Sequence, residues 1–323
     1  MEFLTIKDEL DYCTSRYYLR KEIENIFVNE GYLQIEPSTF EEYDNFRSFN
    51  SKITNKTLVK VIGGNGEVLI LRPDITMNII RSLIPRWEMG ARLKLFYNTT
   101  VYRNRIDSNI KELKQMGIEY LGENSLLADK DVILVALEVL KKYNADFILE
   151  LGSSKYLEGL LKEIKSSEIV DEIKNLIYRK NKSELSKYLE SVDTNKSIVD
   201  VLLNIIDFQG NIDTVTKLTK AYYLNDEMKN SLDELKELVK SIEGTSFYNN
   251  IHLDLSMITE LDYYDGIIFK GYYPNSHQEI ISGGRYDSLT SLFGTKVPAI
   301  GFSIDLDQLL KVVNLGGESK WTI

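Results

Sequence analysis

Gln115 and Glu119 are the pair in this chain best spaced to hold a small charged ligand. They flank Met116-Gly117-Ile118, and on a strand they would stand about 13 Å apart on one face. Hydrogen bonds of about 3 Å from each leave roughly 7 Å between them, room for one small zwitterion. Gly117 would let that ligand approach the backbone. Arg103 and Arg105 share one face of the neighbouring run and supply fixed positive charge. The same alternation also fits a strand with an ordinary solvated face.

Three further segments carry groups of the same kind. Asp74 and Thr76, in Pro73-Asp74-Ile75-Thr76, bring a carboxylate and a hydroxyl to the start of a helix, where both also serve as caps. Tyr263 and Tyr264 add hydroxyls and aromatic surface, although with 20 tyrosines in the chain each one also suits packing. Ser282-Gly283-Gly284-Arg285-Tyr286-Asp287 reads as a tight strand-to-helix turn. Gly283 and Gly284 imply close approach of the backbone to a ligand or to another strand. Arg285 and Asp287 can pair with each other. With two histidines and one cysteine, no nucleophile set and no metal site is expected.

The elements that must position these groups follow from periodicity. Asp8 to Asn29 predicts an amphipathic helix through Leu10, Cys13, Tyr17, Ile23 and Phe27, with Gly31 as its terminator. On that stripe Cys13 is expected to be a buried thiol. Gly31 to Pro37 reads as a strand. Gly63-Gly64-Asn65-Gly66 reads as a hairpin turn, since neither lysine nor a helix follows directly as in a phosphate loop. Leu93 to Arg105 and Lys114 to Leu121 predict an antiparallel pair. Asp129 is expected to cap a helix bearing Val132, Ala136, Val139 and Leu140. Strands follow at Phe147 to Leu151, Ile251 to Met257, Gly266 to Tyr273, Glu279 to Ser282 and Ala299 to Ile304. Asp305 then caps a last helix. Between them, Lys155 to Glu243 is rich in lysine, glutamate, leucine and asparagine at helical spacing. Hairpins outnumber strand–helix–strand units, which favours an antiparallel α+β domain over a doubly wound sheet.

A formal net charge of −10 disfavours a broad phosphate-binding surface, so no nucleic-acid partner is expected. No apolar run approaches membrane-spanning length, so no membrane partner is expected either. The first residues lack a basic start followed by an apolar core. With a single cysteine, a cytoplasmic setting is the expectation.

In this order the segments resemble the catalytic domain of class II histidyl-tRNA synthetases, from about Phe3 to Val313. Gly31 to Pro37 resembles the first, dimer-forming motif, and Tyr102 to Gly122 the second. Leu261-Asp262-Tyr263-Tyr264 and Gly283-Gly284-Arg285-Tyr286-Asp287 resemble the two histidine-specific motifs. Pro298 to Leu309 resembles the third motif. The resemblance implies a synthetase-like antiparallel β-sheet flanked by helices. Its core would comprise residues 1–152 and 245–313, with a helical insertion at 153–244 and a tail at 314–323. It further implies that Asp74, Thr76, Gln115 and Glu119 hold the amino group or imidazole of histidine. Tyr263 and Tyr264 would line that pocket, Arg103 would meet the carboxylate and α-phosphate, and Gly283, Gly284 and Arg285 would form the pocket turn.

The departures from the family fall on its chemistry. Asp74 replaces a glutamate. Thr259 stands where the synthetases carry the arginine of adenylation, Glu260 replaces the neighbouring glycine, and Arg105 replaces the glutamate of the second motif. Gln308 replaces the arginine that grips the ATP tail, and Asp305 puts a carboxylate in place of a glycine. Losing an arginine at a transition-state charge costs roughly 10²-fold or more in rate. Only ten residues follow Val313, so no anticodon-binding domain is expected. These features resemble the regulatory subunits of ATP phosphoribosyltransferase, synthetase-like paralogues in histidine biosynthesis. The resemblance implies a noncatalytic protein without a cofactor. Its partners would be a short-form catalytic subunit in a hetero-oligomer and a second copy as a dimer, with histidine as effector. A minimal histidine-tRNA ligase and a histidine sensor outside that pathway are the alternatives.

Overall fold

The computed structural model describes residues 5–49, 57–104, 109–259, 263–274 and 276–315. Arg105, Glu260, Leu261, Asp262 and the last eight residues of the tail lie outside them.

Strands run in chain order as β1 (Leu33–Gln34), β2 (Phe40–Glu42), β3 (Lys60–Ile62), β4 (Val68–Leu71), β5 (Leu93–Asn104) and β6 (Ile110–Leu121). They continue as β7 (Ile148–Ser153), β8 (Gln209–Gly210), β9 (Ile251–Asp254), β10 (Ile267–Tyr272), β11 (Ile281–Arg285) and β12 (Ala299–Asp305). Nine of them form one sheet in the order β1-β5-β6-β12-β11-β10-β7-β9-β8. Its centre, β5 through β10, is antiparallel throughout, whereas β1–β5 and β7–β9 pair in parallel. A separate hairpin layer, β2-β4-β3, encloses Phe46, Leu58 and Ile70, and the glycine turn joins β3 to β4 as expected.

Alternation along the central strands sends apolar residues to one face and chemistry to the other. Met116, Ile118, Phe302 and Ile304 join the larger core cluster. Their neighbours Gln115, Gly301, Ser303 and Asp305 open onto a cavity on the opposite face. The larger cluster is covered by helix Leu126–Tyr143, which lies against β6, β12 and β10 and touches helices Ile6–Asn29 and Asp226–Ile242. Val132, Ala136, Val139 and Leu140 are fully buried there. Asp129 sits in the first turn of this helix without capping it; Ser125 holds the cap position and Asp129 turns inward to Arg285.

The first helix begins in a capping box, with the Asp8 amide donating to Thr5 Oγ1 at 3.1 Å and the Thr5 amide donating to Asp8 at 3.1 Å. It ends before Gly31, which adopts φ +82°. Its buried face is Ser15, Leu19, Ile23, Ile26 and Phe27. Cys13 is exposed rather than buried, as are Leu10 and Tyr17. The cause is phase: at about 100° per residue, Cys13 and Leu19 fall on different sides of the helix. The segment from Ser154 to Ile242 is helix-rich, yet it also contributes β8, which extends the main sheet beyond β9.

Candidate functional site

Glu119 is the most constrained group of the site. It is 1% exposed, and among the described residues no cation acts on it. Oε1 accepts from Thr76 Oγ1 at 2.6 Å, and Oε2 accepts from the Tyr286 hydroxyl. Burial, with Asp74 adding to it, pushes the Glu119 carboxyl from its ordinary 4.5 up to about 8, against the lowering effect of those two hydrogen bonds. Gly301 lies directly across the ladder, and a Cβ there would collide with the Glu119 carboxylate and the Ile118 carbonyl. Glu119 therefore sits behind the cavity wall and acts through Thr76 and Tyr286. When ionised it takes both hydroxyl protons and leaves their lone pairs facing the cavity, an arrangement that suits an ammonium or imidazolium.

Asp74 combines both roles left open by its sequence position. Its Oδ1 accepts from the Met77 amide at 2.7 Å, fixing the start of helix Thr76–Leu83, and its side chain also lines the cavity. Burial raises its carboxyl, opposed by the Met77 amide, the charge of Arg103 and the hydroxyl of Tyr263.

The cavity has a volume of about 490 Å³. That exceeds the space a single small amino acid fills, within the range of small-molecule sites. Asp74, Thr76, Arg103, Gln115, Tyr263 and Tyr264 all line it. Gln115 stands in register with Asp305 on β12. Gly117 does not present a bare floor, because the Tyr97 ring occupies the space its missing Cβ would fill. Tyr286 packs edge-on against Tyr263 and Tyr264, which are tilted to each other, with centroids 4.9–6.4 Å apart, forming an aromatic wall.

Other expected residues fall elsewhere. Arg285 donates to Asp129 at 2.9 Å and Asp287 at 3.2 Å in a buried ion cluster, and it does not line the cavity. Gly283 and Gly284 allow close approach of strand and ring: their Cβ positions are filled by Gly301 and Phe302, and by Ile267 and Tyr264. Thr259 and Asp305 do face the cavity. Asp305 also caps the last helix, accepting from the Gln308 amide at 2.9 Å. The Gln308 side chain is turned to Gln278 at 2.6 Å. No fixed positive charge stands at positions 259, 305 or 308.

Among the lining residues with chemistry of their own that sequence reasoning missed are Lys111, Lys270, His277 and Tyr178. Lys111 opposes Arg103 across the β5–β6 hairpin, and strand period alone could have found it. Lys270 follows from pairing β10 with β11, where it opposes Ser282. Tyr178 arrives from the helix-rich segment, whose sequence gives no sign of it.

The nine-stranded sheet, its flanking helices and the cavity over β6 and β12 define a class II aminoacyl-tRNA synthetase-like protein. The family model described as histidyl-tRNA synthetase matches residues 12–309. The ATP phosphoribosyltransferase regulatory subunit of Alkaliphilus metalliredigens is 34% identical, over 95% of this chain and 79% of that protein. That of Clostridium novyi is 32% identical, over 94% and 73%. An ATP phosphoribosyltransferase regulatory subunit/histidyl-tRNA synthetase from Bacillus halodurans superposes with a TM-score of 0.84 at 24% identity, covering 97% of this chain and 82% of that one. A chain of an ATP phosphoribosyl transferase complex from Thermotoga maritima superposes with a TM-score of 0.69 at 19% identity, covering 90% and 97%. Both superpositions bear on the fold. The chain belongs to the family of ATP phosphoribosyltransferase regulatory subunits.

Proposed function

We propose that this chain regulates a short-form ATP phosphoribosyltransferase without catalysing a reaction itself. It assembles with that catalytic subunit, supports its activity and transmits feedback inhibition by histidine. The observation that carries this reading is the asymmetry of the cavity. Asp74, Thr76, Gln115 and the tyrosine wall suit an amino-acid zwitterion, while Thr259, Asp305 and Gln308 offer no fixed cation for a triphosphate. A ligand controls an assembly only through unequal affinity for its states, so histidine must bind one arrangement of the complex more tightly. In the cavity, the ligand's ammonium or imidazole meets the Thr76 and Tyr286 hydroxyls, a bound cation drawing Glu119 behind them into its ionised form, and the ligand's carboxylate meets Arg103.

Calorimetric titration with histidine tests the site. We expect one site per chain, weakened about tenfold or more by Gln115→Ala, the range for losing a buried hydrogen bond. Undiminished binding by that variant would move the effector site to the boundary with the catalytic subunit.

Lys111 and Lys270 favour one second reading, a residual nucleotide-binding activity in the same cavity. Histidine-dependent exchange of pyrophosphate into ATP by the purified chain would establish it and displace the noncatalytic reading.

A further inference from the structure

Lys180 is the one non-glycine residue with positive φ, at +53°, among the described residues. It ends helix Ser167–Tyr178 in a turn where its amide donates to the Ile177 carbonyl at 2.8 Å and the Asn181 amide donates to Leu176 at 3.1 Å. That closure ordinarily takes glycine, because a side chain in the left-handed region costs about 1 kcal/mol. A lysine held there needs a reason in its side chain. Its Nζ donates to Asp254 Oδ2 at 2.6 Å and also to Ser256 Oγ. Asp254 is buried, and its other oxygen accepts from the Ser256 amide at 2.9 Å and the Ser256 hydroxyl at 2.7 Å.

Both ends of this contact lead to the cavity. Two residues before Lys180, Tyr178 closes the last turn of the helix and lines the cavity with its side chain about half exposed. Beyond Asp254 the chain runs through Met257, whose amide donates to the Asp254 carbonyl at 3.3 Å, to Thr259 in the cavity wall. Lys180 also shares Glu150 with Lys270: both cations offset the effect of burial on that carboxyl, and Lys270 faces the cavity.

We propose that the helical segment completes the ligand site, with Tyr178 contacting the bound zwitterionic amino acid and the Lys180–Asp254 pair acting as the latch that positions it. This rests on the reading of the cavity as the effector site. The Tyr178 ring is accessible when the cavity is open and loses exposure against an occupant. Latch closure and occupancy thus favour each other. By linkage the coupling is reciprocal: whatever factor the latch adds to ligand affinity, the ligand adds to latch closure. The segment 153–244 gains a role as the element that registers whether the cavity is filled.

Lys180→Gly separates this from a merely structural role. Glycine accepts φ +53° without penalty, so the turn survives while the latch is lost. We expect the Lys180→Gly chain to bind histidine about tenfold more weakly by calorimetry, equivalent to about 1.4 kcal/mol. Tyr178→Ala should weaken binding comparably. Lys182→Ala, which removes an exposed pair with Asp207 on the same segment, should leave affinity unchanged. In hydrogen exchange, histidine should slow the amides of residues 167–178 in the wild-type chain and fail to do so after Lys180→Gly. Wild-type affinity in Lys180→Gly, or exchange at 167–178 indifferent to histidine, would overturn the latch alone. No histidine uptake by the wild-type chain would overturn the effector reading and the latch with it.

Discussion

Glu119 touches the cavity only through its neighbours, Thr76 and Tyr286. Its proton is retained in the folded chain and lost from the unfolded one across the interval from 4.5 to about 8. Folded chains therefore bind more protons there, and stability must fall as pH rises through that interval. Asp74, also raised by burial, acts in the same direction. Glu119→Gln retains a neutral group of the same shape. The variant should gain on the wild type by a few kcal/mol in urea unfolding between about pH 5 and pH 8. Parallel pH dependence of the two proteins would mean that Glu119 ionises normally. The lone cysteine gives a second test at this scale. Because Cys13 is exposed on the first helix, a thiol reagent should modify one equivalent in the native protein without unfolding it. Protection until denaturation would place that helix face against something else.

At the scale of elements, the surroundings of the cavity rest on two tight contacts, one between strands and one between a strand and a helix. Gly301 gives Glu119 its room, so Gly301→Ala should destabilise by about 1–3 kcal/mol, the range for forcing atoms into a filled core. Arg285 ties β11 to the helix carrying Asp129. Arg285→Met strands a buried carboxylate and should cost about 3–5 kcal/mol in chemical denaturation, with part recovered when Asp129 is also made apolar. A loss below about 1 kcal/mol would show that the pair is dispensable. The strand-to-helix turn around Gly283 is thus a packing device whose glycines admit neighbouring strands, and of its residues Ser282 and Tyr286 reach the cavity.

At the scale of the molecule, the central hairpin, the glycine turn, the last helix and the lining role of Asp74, Thr76, Gln115, Tyr263 and Tyr264 were legible in the sequence. Each is set by local periodicity, by capping or by a motif that resembles a known family. Cys13 was misplaced because its apolar neighbours Leu10 and Tyr17 suggested a buried stripe that turns out to lie on a different face from Leu19 and Ile23. Arg285 was assigned to the pocket turn because its partner Asp129 is 156 positions away in sequence. Lys270 and Tyr178 were invisible for the same reason: their place in the wall depends on strand order and on the docking of a helix-rich segment, which no window of residues reveals. The cavity is consequently less bare of positive charge than the substitutions at 259 and 308 alone suggest. Among the described residues, its lining cations are Arg103, Lys111 and Lys270.

The decisive measurement is phosphoribosyl-ATP formation in a mixture of this chain with a short-form catalytic subunit. Activity should rise severalfold above that of the catalytic subunit alone and fall again as histidine is added, with Gln115→Ala shifting the inhibition to higher histidine. A catalytic subunit indifferent to this chain at every histidine concentration would contradict the proposed regulatory role.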